Sequence, residues 1–305
     1  MRIAVMGSGS IGGYFGGMLA RAGNDVTFIA RGANLQAING RGLKVITDDQ
    51  EFTVHCHATS DPGQVGPVDL VLLTVKTYHN PQAVPSLKPM VGAQTSVLCL
   101  QNGIDSYKLA AYGLADENVV PGAAYIEANL EGPGQVRQTG AVVKIVLGEA
   151  DGSPSQRCGR IVETLVEAGI PAQSSDDIQK TLWTKFLFIA TMAGVTSMSR
   201  QTMAELMARP EWRQVITACM REIETVGRAS GVNLEPRIVE DTLEYIEGSM
   251  GEMDASMYTD IIAGRPMELE ALNGAVVRAG RAAGVPTPIN DVIYAMLKPY
   301  ALGNG

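Results

Sequence analysis

Residues 2–13 read Arg2-Ile3-Ala4-Val5-Met6-Gly7-Ser8-Gly9-Ser10-Ile11-Gly12-Gly13, and the expected fold grows outward from this stretch. A short apolar run, RIAVM, leads directly into three glycines spaced G-x-G-x-x-G, and a helical pattern, IGGYFGGMLARAG, follows at once. Strand, glycine turn and helix in that order are the context in which this spacing holds a dinucleotide. Gly7 permits the tight turn, Gly9 lets the backbone approach a pyrophosphate, and Gly12 lets the helix pack on the strand. The backbone of Ser8, Ser10 and Ile11 completes the loop, and the helix N-terminus turns its partial positive charge toward the phosphates. A glycine triplet alone could be any glycine-rich turn. One that starts at residue 7, with the next strand in register, is a dinucleotide site.

The runs DVTFIA, DLVLLTVK and TSVLCLQNG read as further buried strands, separated by IGGYFGGMLARAG and by the stretch after Asn80 as crossover segments. That alternation is the mark of βαβ units and a parallel sheet. Residues 119–148 carry more strand-like sequence, punctuated by Gly132-Pro133-Gly134, and are expected to continue the sheet. Past about residue 174 the segments become long and periodic at 3.6, at 177–197, 210–230, 235–249, 267–283 and 289–300. The sequence therefore predicts an α/β Rossmann domain with a doubly wound parallel sheet over 1–174, followed by an all-α C-terminal domain over 175–305.

Length agrees, because 305 residues exceed what one core of about 150 residues serves. No apolar run approaches the roughly 20 residues that span a bilayer, and the N-terminus reads as a strand rather than a signal peptide, so a soluble cytoplasmic protein is expected. Cys56, Cys99, Cys158 and Cys219 stand singly, with neither metal-ligand spacing nor a disulfide framework. No metal is expected, and the thiols are read as reduced. A net charge of −8 argues against nucleic acid, whose binders carry basic stripes. Met-rich apolar helices in the second half are read mainly as core, with a homodimer interface as the other use.

The second strand decides the cofactor. NAD sites place Asp or Glu near its end, about 20 residues after the glycines, whereas VTFIAR ends in Arg31, whose guanidinium can pair with a 2′-phosphate. Arg31 thus points to NADP(H) unless it is merely a strand-end surface charge. Reduction by hydride also needs an acid or cation beside the carbonyl oxygen. His55 and His57 share the period-2 spacing of a strand, and His79 is read as a solvated loop residue. Lys185, inside LWTKFLFIATMAGV, either snorkels outward or is partly buried with a lowered pKa. Glu268, opening ELEALNG, reads on its own as a solvated charge at a helix N-terminus.

Together GSGSIGGYFGG, ARG, LLTVK, QNG, LWTK, SMYTDIIAGRPMELEALNG and GVPTP, in this order, resemble the ketopantoate reductase (2-dehydropantoate 2-reductase) family over essentially the full length. The resemblance implies a Rossmann domain and a helical domain that hold NADPH and a 2-oxo acid. It implies that Gly7, Gly9 and Gly12 cradle the pyrophosphate, that Arg31 meets the 2′-phosphate, and that Lys76 and Asn102 face the cofactor from strand ends. It further implies a cofactor contact at Ala128, the general acid at Lys185, an acid near the nicotinamide at Glu268, and a substrate donor at Ser256. One departure concerns specificity. Well-known members carry Asn four and eight residues after the lysine, where this chain has Ile189 and Ala193.

The expected reaction is NADPH-dependent reduction of a 2-oxo acid, with ketopantoate first and a more apolar 2-oxo acid as the alternative. An NAD-linked hydroxy-acid dehydrogenase and a non-catalytic NADP-binding protein are the rivals. Arg31 predicts tighter binding of NADPH than of NADH; equal affinities in a titration of the purified protein would remove its assigned role.

Overall fold

A computed structural model describes residues 1–248 and 255–303. The chain divides into two compact units, Met1–Gln101 with Ser106–Ile178, and Asn102–Asp105 with Gln179–Gly305.

The first unit runs β1 (Arg2–Met6), α1 (Ser10–Arg21), β2 (Asp25–Ile29), α2 (Gly32–Arg41), β3 (Leu43–Ile46), β4 (Glu51–Val54), β5 (His57–Thr59) and β6 (Leu70–Leu73). It continues with α3 (Asn80–Ser86), β7 (Ser96–Cys99), α4 (Ser106–Gly113), β8 (Val119–Gly132), β9 (Gln135–Leu147), α5 (Gln156–Glu167) and β10 (Ala172–Ser174). The strands form one sheet in the order β4-β3-β9-β8-β7-β6-β1-β2-β5, with β10 on β9. From β5 to β8 every pairing is parallel. The long β8–β9 hairpin is antiparallel, and it carries β3 and the antiparallel β4 at its far edge.

Side-chain alternation explains why this sheet is covered on both faces. Ile3, Val5, Leu70, Leu72 and Leu98 join one core with Phe15, Leu19, Phe28, Ile161 and Leu165. Their neighbours Ala4, Met6, Val71, Leu73, Val97 and Cys99 join a second core with Ala83, Val84 and Ala110. Successive strand residues point to opposite faces, so strands apolar at every position require helices on both sides. Here α1 and α5 cover one face and α3 and α4 the other. Helix α1 lies close to the strands because Gly16 leaves no room for more, since a Cβ there would sit 2.6 Å from the Phe28 ring.

The expected strands near residues 3, 26, 71 and 97 and the expected further strands after residue 119 are present, the latter as the antiparallel β8–β9 hairpin. His55 and His57 do not share a strand as expected, because β4 ends at Val54 and β5 begins at His57, and the two strands lie at opposite ends of the strand order.

The second unit is helical: α6 (Ile178–Ser199), α7 (Met203–Met207), α8 (Pro210–Ala229), α9 (Ile238–Gly248), α10 (Ser256–Ile262), α11 (Asn273–Ala283) and α12 (Pro288–Leu297). No helix among the described residues is long and apolar enough to cross a membrane. A chain of buried amides ties four of these helices. Asn273 of α11 donates to the Ala190 carbonyl of α6 (3.2 Å) and to Asn290 Oδ1 of α12 (3.0 Å). Asn290 donates in turn to the Glu222 carboxylate of α8 (2.8 Å). Helix α12 starts with Pro288 and has no side-chain cap of its own. Glu222 supplies the cap from another helix by accepting from the backbone N–H groups of Ile289 (2.7 Å) and Asn290 (3.0 Å). A carboxylate there satisfies two orphan donors and complements the helix dipole. Glu222→Ala should lower stability by about 2 kcal/mol, seen as a reduced urea midpoint with unchanged slope; an unchanged midpoint would deny the cap its role.

Candidate active site

In the first unit the glycine turn has the shape expected of a phosphate cradle. Gly7 lies at φ +106°, with Val75 so near that a Cβ would meet its Cγ1 at 2.8 Å. At Gly12 a Cβ would fall 1.9 Å from the Gly7 carbonyl oxygen. Thr74 Oγ1 holds that oxygen by donating to it at 2.9 Å. At Gly9, by contrast, nothing lies within 4 Å of where a Cβ would be, so packing demands Gly7 and Gly12 while Gly9 faces open space. Gly9 also begins α1 with no side-chain cap and no acid in the first turn. Free N–H groups, the helix dipole and an open backbone edge fit a pyrophosphate.

Ser8 is buried, Ser10 and Ile11 are partly exposed, and Arg31 is an exposed residue at the N-cap of α2. The Arg31 guanidinium makes no ion pair among the described residues. Lys76 is half-buried three residues beyond β6. Ala128 lies on β8 opposite Gln138 and packs against the core.

The sequence assigns no site role to Gln101 or Asn80. Gln101 is buried and donates to the Val75 carbonyl (2.6 Å) and to Asn80 Oδ1 (2.7 Å). It therefore fixes the backbone beside Lys76. The one available signal was its place in QNG, immediately before Asn102.

In the second unit, Lys185 Nζ of α6 donates to Asn102 Oδ1 at 3.1 Å. Although the residue keeps some exposure, burial of the ammonium pushes its pKa down to about 8, against the opposing influence of the Glu268 carboxylate. Lys185 is thus the partly buried lysine, not the snorkelling one. Glu268 corrects its own reading in sequence. It is buried, at 5% exposure, and α11 begins only at Asn273, so it is neither solvated nor a helix N-terminal charge. Its carbonyl oxygen accepts from Ala271 and Leu272 (both 3.1 Å), folding 268–272 into a tight turn. Gly103, at φ +102°, comes so close to that turn that a Cβ would lie 2.7 Å from the Ala271 oxygen. Asn102 and the Glu268 turn are therefore seated together.

Ile189 and Ala193 follow Lys185 at four-residue steps, on one face of α6, with Ala193 buried and Ile189 partly so. Ser256 is the exposed first residue of α10. His79 is exposed, with its ring against Tyr78. Burial pushes the thiols of Cys99 and Cys219 up to about 12, which makes them poor nucleophiles.

The sequence pattern of the family "Ketopantoate reductase PanE/ApbA" matches residues 3–152, and that of "Ketopantoate reductase PanE/ApbA C terminal" matches 177–301. The chain belongs to the ketopantoate reductase family. Among relatives, the 2-dehydropantoate 2-reductase of Mesorhizobium japonicum is 30% identical, covering 100% of this chain and 99% of its own. The crystal structure of a PanE/ApbA family ketopantoate reductase from Ralstonia eutropha JMP134 is 31% identical with a TM-score of 0.91, covering 99% and 98% of the two chains. D-mandelate dehydrogenase, in a ternary structure with NADH and anilino(oxo)acetate, is 26% identical with a TM-score of 0.90, covering 99% and 98%. Ketopantoate reductases are oxidoreductases acting on CH–OH groups and use NADPH, and this chain is an oxidoreductase of that family.

Because the Glu268 carboxylate raises the Lys185 pKa while burial lowers it, Glu268→Gln should move the lysine titration below about 8. NMR of labelled lysine side chains reads this directly; an unmoved titration would show the two groups to be uncoupled.

Proposed function

We propose that the protein reduces a 2-oxo acid to the 2-hydroxy acid with NADPH, and that Lys185 is its general acid. The observation that carries this reading is the desolvated Lys185 ammonium, held on Asn102 at 3.1 Å and kept partly protonated at neutral pH by the buried Glu268. A group with a pKa of about 8 gives up a proton more readily than an ordinary lysine and is still charged at pH 7.

Gly7, Ser8, Gly9, Ser10, Ile11 and Gly12 would hold the pyrophosphate and Arg31 the 2′-phosphate, with Lys76, Asn102, Ala128 and Glu268 as further cofactor contacts. When bound, NADPH supplies a hydride. Lys185 places positive charge beside the carbonyl oxygen as negative charge grows there and then donates its proton to form the hydroxyl. Asn102, accepting from the ammonium, fixes its direction, and Ser256 offers the substrate a hydroxyl.

Ketopantoate, reduced to pantoate, is the first substrate to test, since relatives carry that name. A second reading, a more apolar 2-oxo acid, is favoured by Ile189 and Ala193, which present hydrocarbon on the Lys185 face of α6. The D-mandelate dehydrogenase likeness supports it. A buried polar substrate group left unmatched loses about 1–3 kcal/mol, enough to shift preference between the two acids.

The test follows NADPH absorbance with ketopantoate, pyruvate and branched and aromatic 2-oxo acids. Lys185→Ala should lower kcat by about 100-fold or more with NADPH affinity retained, and wild-type kcat should fall as pH rises through about 8, because only the protonated lysine is an acid. Tight NADPH binding without oxidation against the whole panel would leave a nucleotide-binding protein instead.

A further inference from the structure

The cofactor cradle contains a residue with no place in the glycine motif or in the family resemblance. Asn34, in the first turn of α2 three residues after Arg31, uses its side-chain amide in both directions. Its Nδ2 donates to the Ser8 carbonyl oxygen at 2.7 Å and to Ser8 Oγ at 3.1 Å. Its Oδ1 accepts from the backbone N–H of Gly134 at 2.8 Å. One amide therefore joins the glycine loop, the start of α2 and the turn of the β8–β9 hairpin.

The hairpin turn is a firm anchor. Gly134, at φ +68°, lies against α2, where a Cβ would come within 2.9 Å of the Ala37 Cβ. Its carbonyl oxygen accepts from Lys44 N at 2.9 Å, and Arg41 at the end of α2 donates to the neighbouring Pro133 carbonyl at 2.5 Å. Helix α2 is thus pinned to the hairpin at both ends, and Asn34 passes that rigidity on to Ser8. Arg31 is the N-cap of the same helix and has no side-chain cap bond of its own. Its separation from the glycine loop is set by two connections, the β1–β2 pairing that ends at Met6 and Ile29, with Gly7 N donating to the Ile29 carbonyl at 3.3 Å, and the first turn of α2, which Asn34 fastens.

We propose that Asn34 is a positioning residue for cofactor choice, holding Arg31 at a set separation from the phosphate-binding loop so that the site selects a 2′-phosphorylated dinucleotide. This rests on the NADPH reading above. A dinucleotide carrying both a pyrophosphate and a 2′-phosphate must meet the loop and Arg31 at once, and two contacts gain most when their spacing is preset. A dinucleotide without the 2′-phosphate uses only the loop and feels Asn34 less.

The experiment measures dissociation constants of NADPH and NADH by nicotinamide fluorescence for the wild type, Asn34→Ala, Arg31→Ala and the double variant. Asn34→Ala should weaken NADPH about tenfold, the size of roughly one lost hydrogen bond, and NADH less than about threefold, so the preference narrows. In the Arg31→Ala background the same change should leave the NADPH-to-NADH ratio where Arg31→Ala put it, the signature of two residues acting as one. Equal weakening of both nucleotides, no weakening, or independent addition of the two effects would overturn the proposal. Should Asn34→Ala not fold, Asn34→Ser, whose short hydroxyl cannot span Ser8 and Gly134, is read in the same way. A wild type that binds no NADPH would fail the functional reading itself, whereas a wild type that prefers NADPH with an unchanged ratio in Asn34→Ala would fail this inference alone.

Discussion

An ammonium taken out of water is the constraint around which the helical unit is arranged. A buried cation is unfavourable unless hydrogen bonds and an opposite charge replace its hydration, and Lys185 has both within its own unit. Asn102 accepts from it, and Glu268 supplies the charge. Neither partner is near it in sequence. The first arrives on a four-residue excursion, Asn102–Asp105, that clusters with the helices although the strand before it belongs to the sheet. The second arrives on the turn that precedes α11. Close contact at Gly103 against Ala271 keeps these two pieces of backbone together.

The same economy of polar contacts recurs elsewhere. Asn273, Asn290 and Glu222 link α6, α11, α12 and α8 through amide and carboxylate bonds inside an otherwise apolar core. Gln101 with Asn80, and Asn34 with Ser8 and Gly134, do the corresponding work among the loops of the sheet unit. Buried donors matched in this way specify one arrangement, because any slip leaves them unpaired in a low-dielectric interior, although Asn273 Oδ1 itself is buried without a hydrogen-bond partner. Apolar burial makes the fold stable, and these amides set where its loops stand.

Substrate preference rests on a different balance. The reaction class depends on a proton donor and a dinucleotide, the roles proposed for Lys185 and the glycine turn. Beside Lys185, the proposed acid, α6 carries hydrocarbon at Ile189 and Ala193, a less polar face than asparagines there would offer.

From the sequence by itself came the glycine turn after β1, the buried strands around residues 3, 26, 71 and 97, the helical second half, the family, and Lys185 as the one cation within the apolar run LWTKFLFIATMAGV. Each is a local signal, since apolar runs, glycine spacing and 3.6-residue periodicity act over neighbours in the chain. Short elements escaped that reading. Strands β3, β4, β5 and β10 are three or four residues long, and α2 buries only the adjacent Ala37 and Ile38, so burial gives it no clear period; α5 does bury Cys158, Ile161 and Leu165 at helical spacing, a period the reading passed over. Only the tertiary structure decided that Glu268 is buried rather than solvated, that Asn102 accepts from Lys185, and that Asn34 joins the glycine loop, the start of α2 and the hairpin turn. These depend on contacts between residues dozens of positions apart, where desolvation and hydrogen-bond matching operate and sequence spacing carries no trace of them.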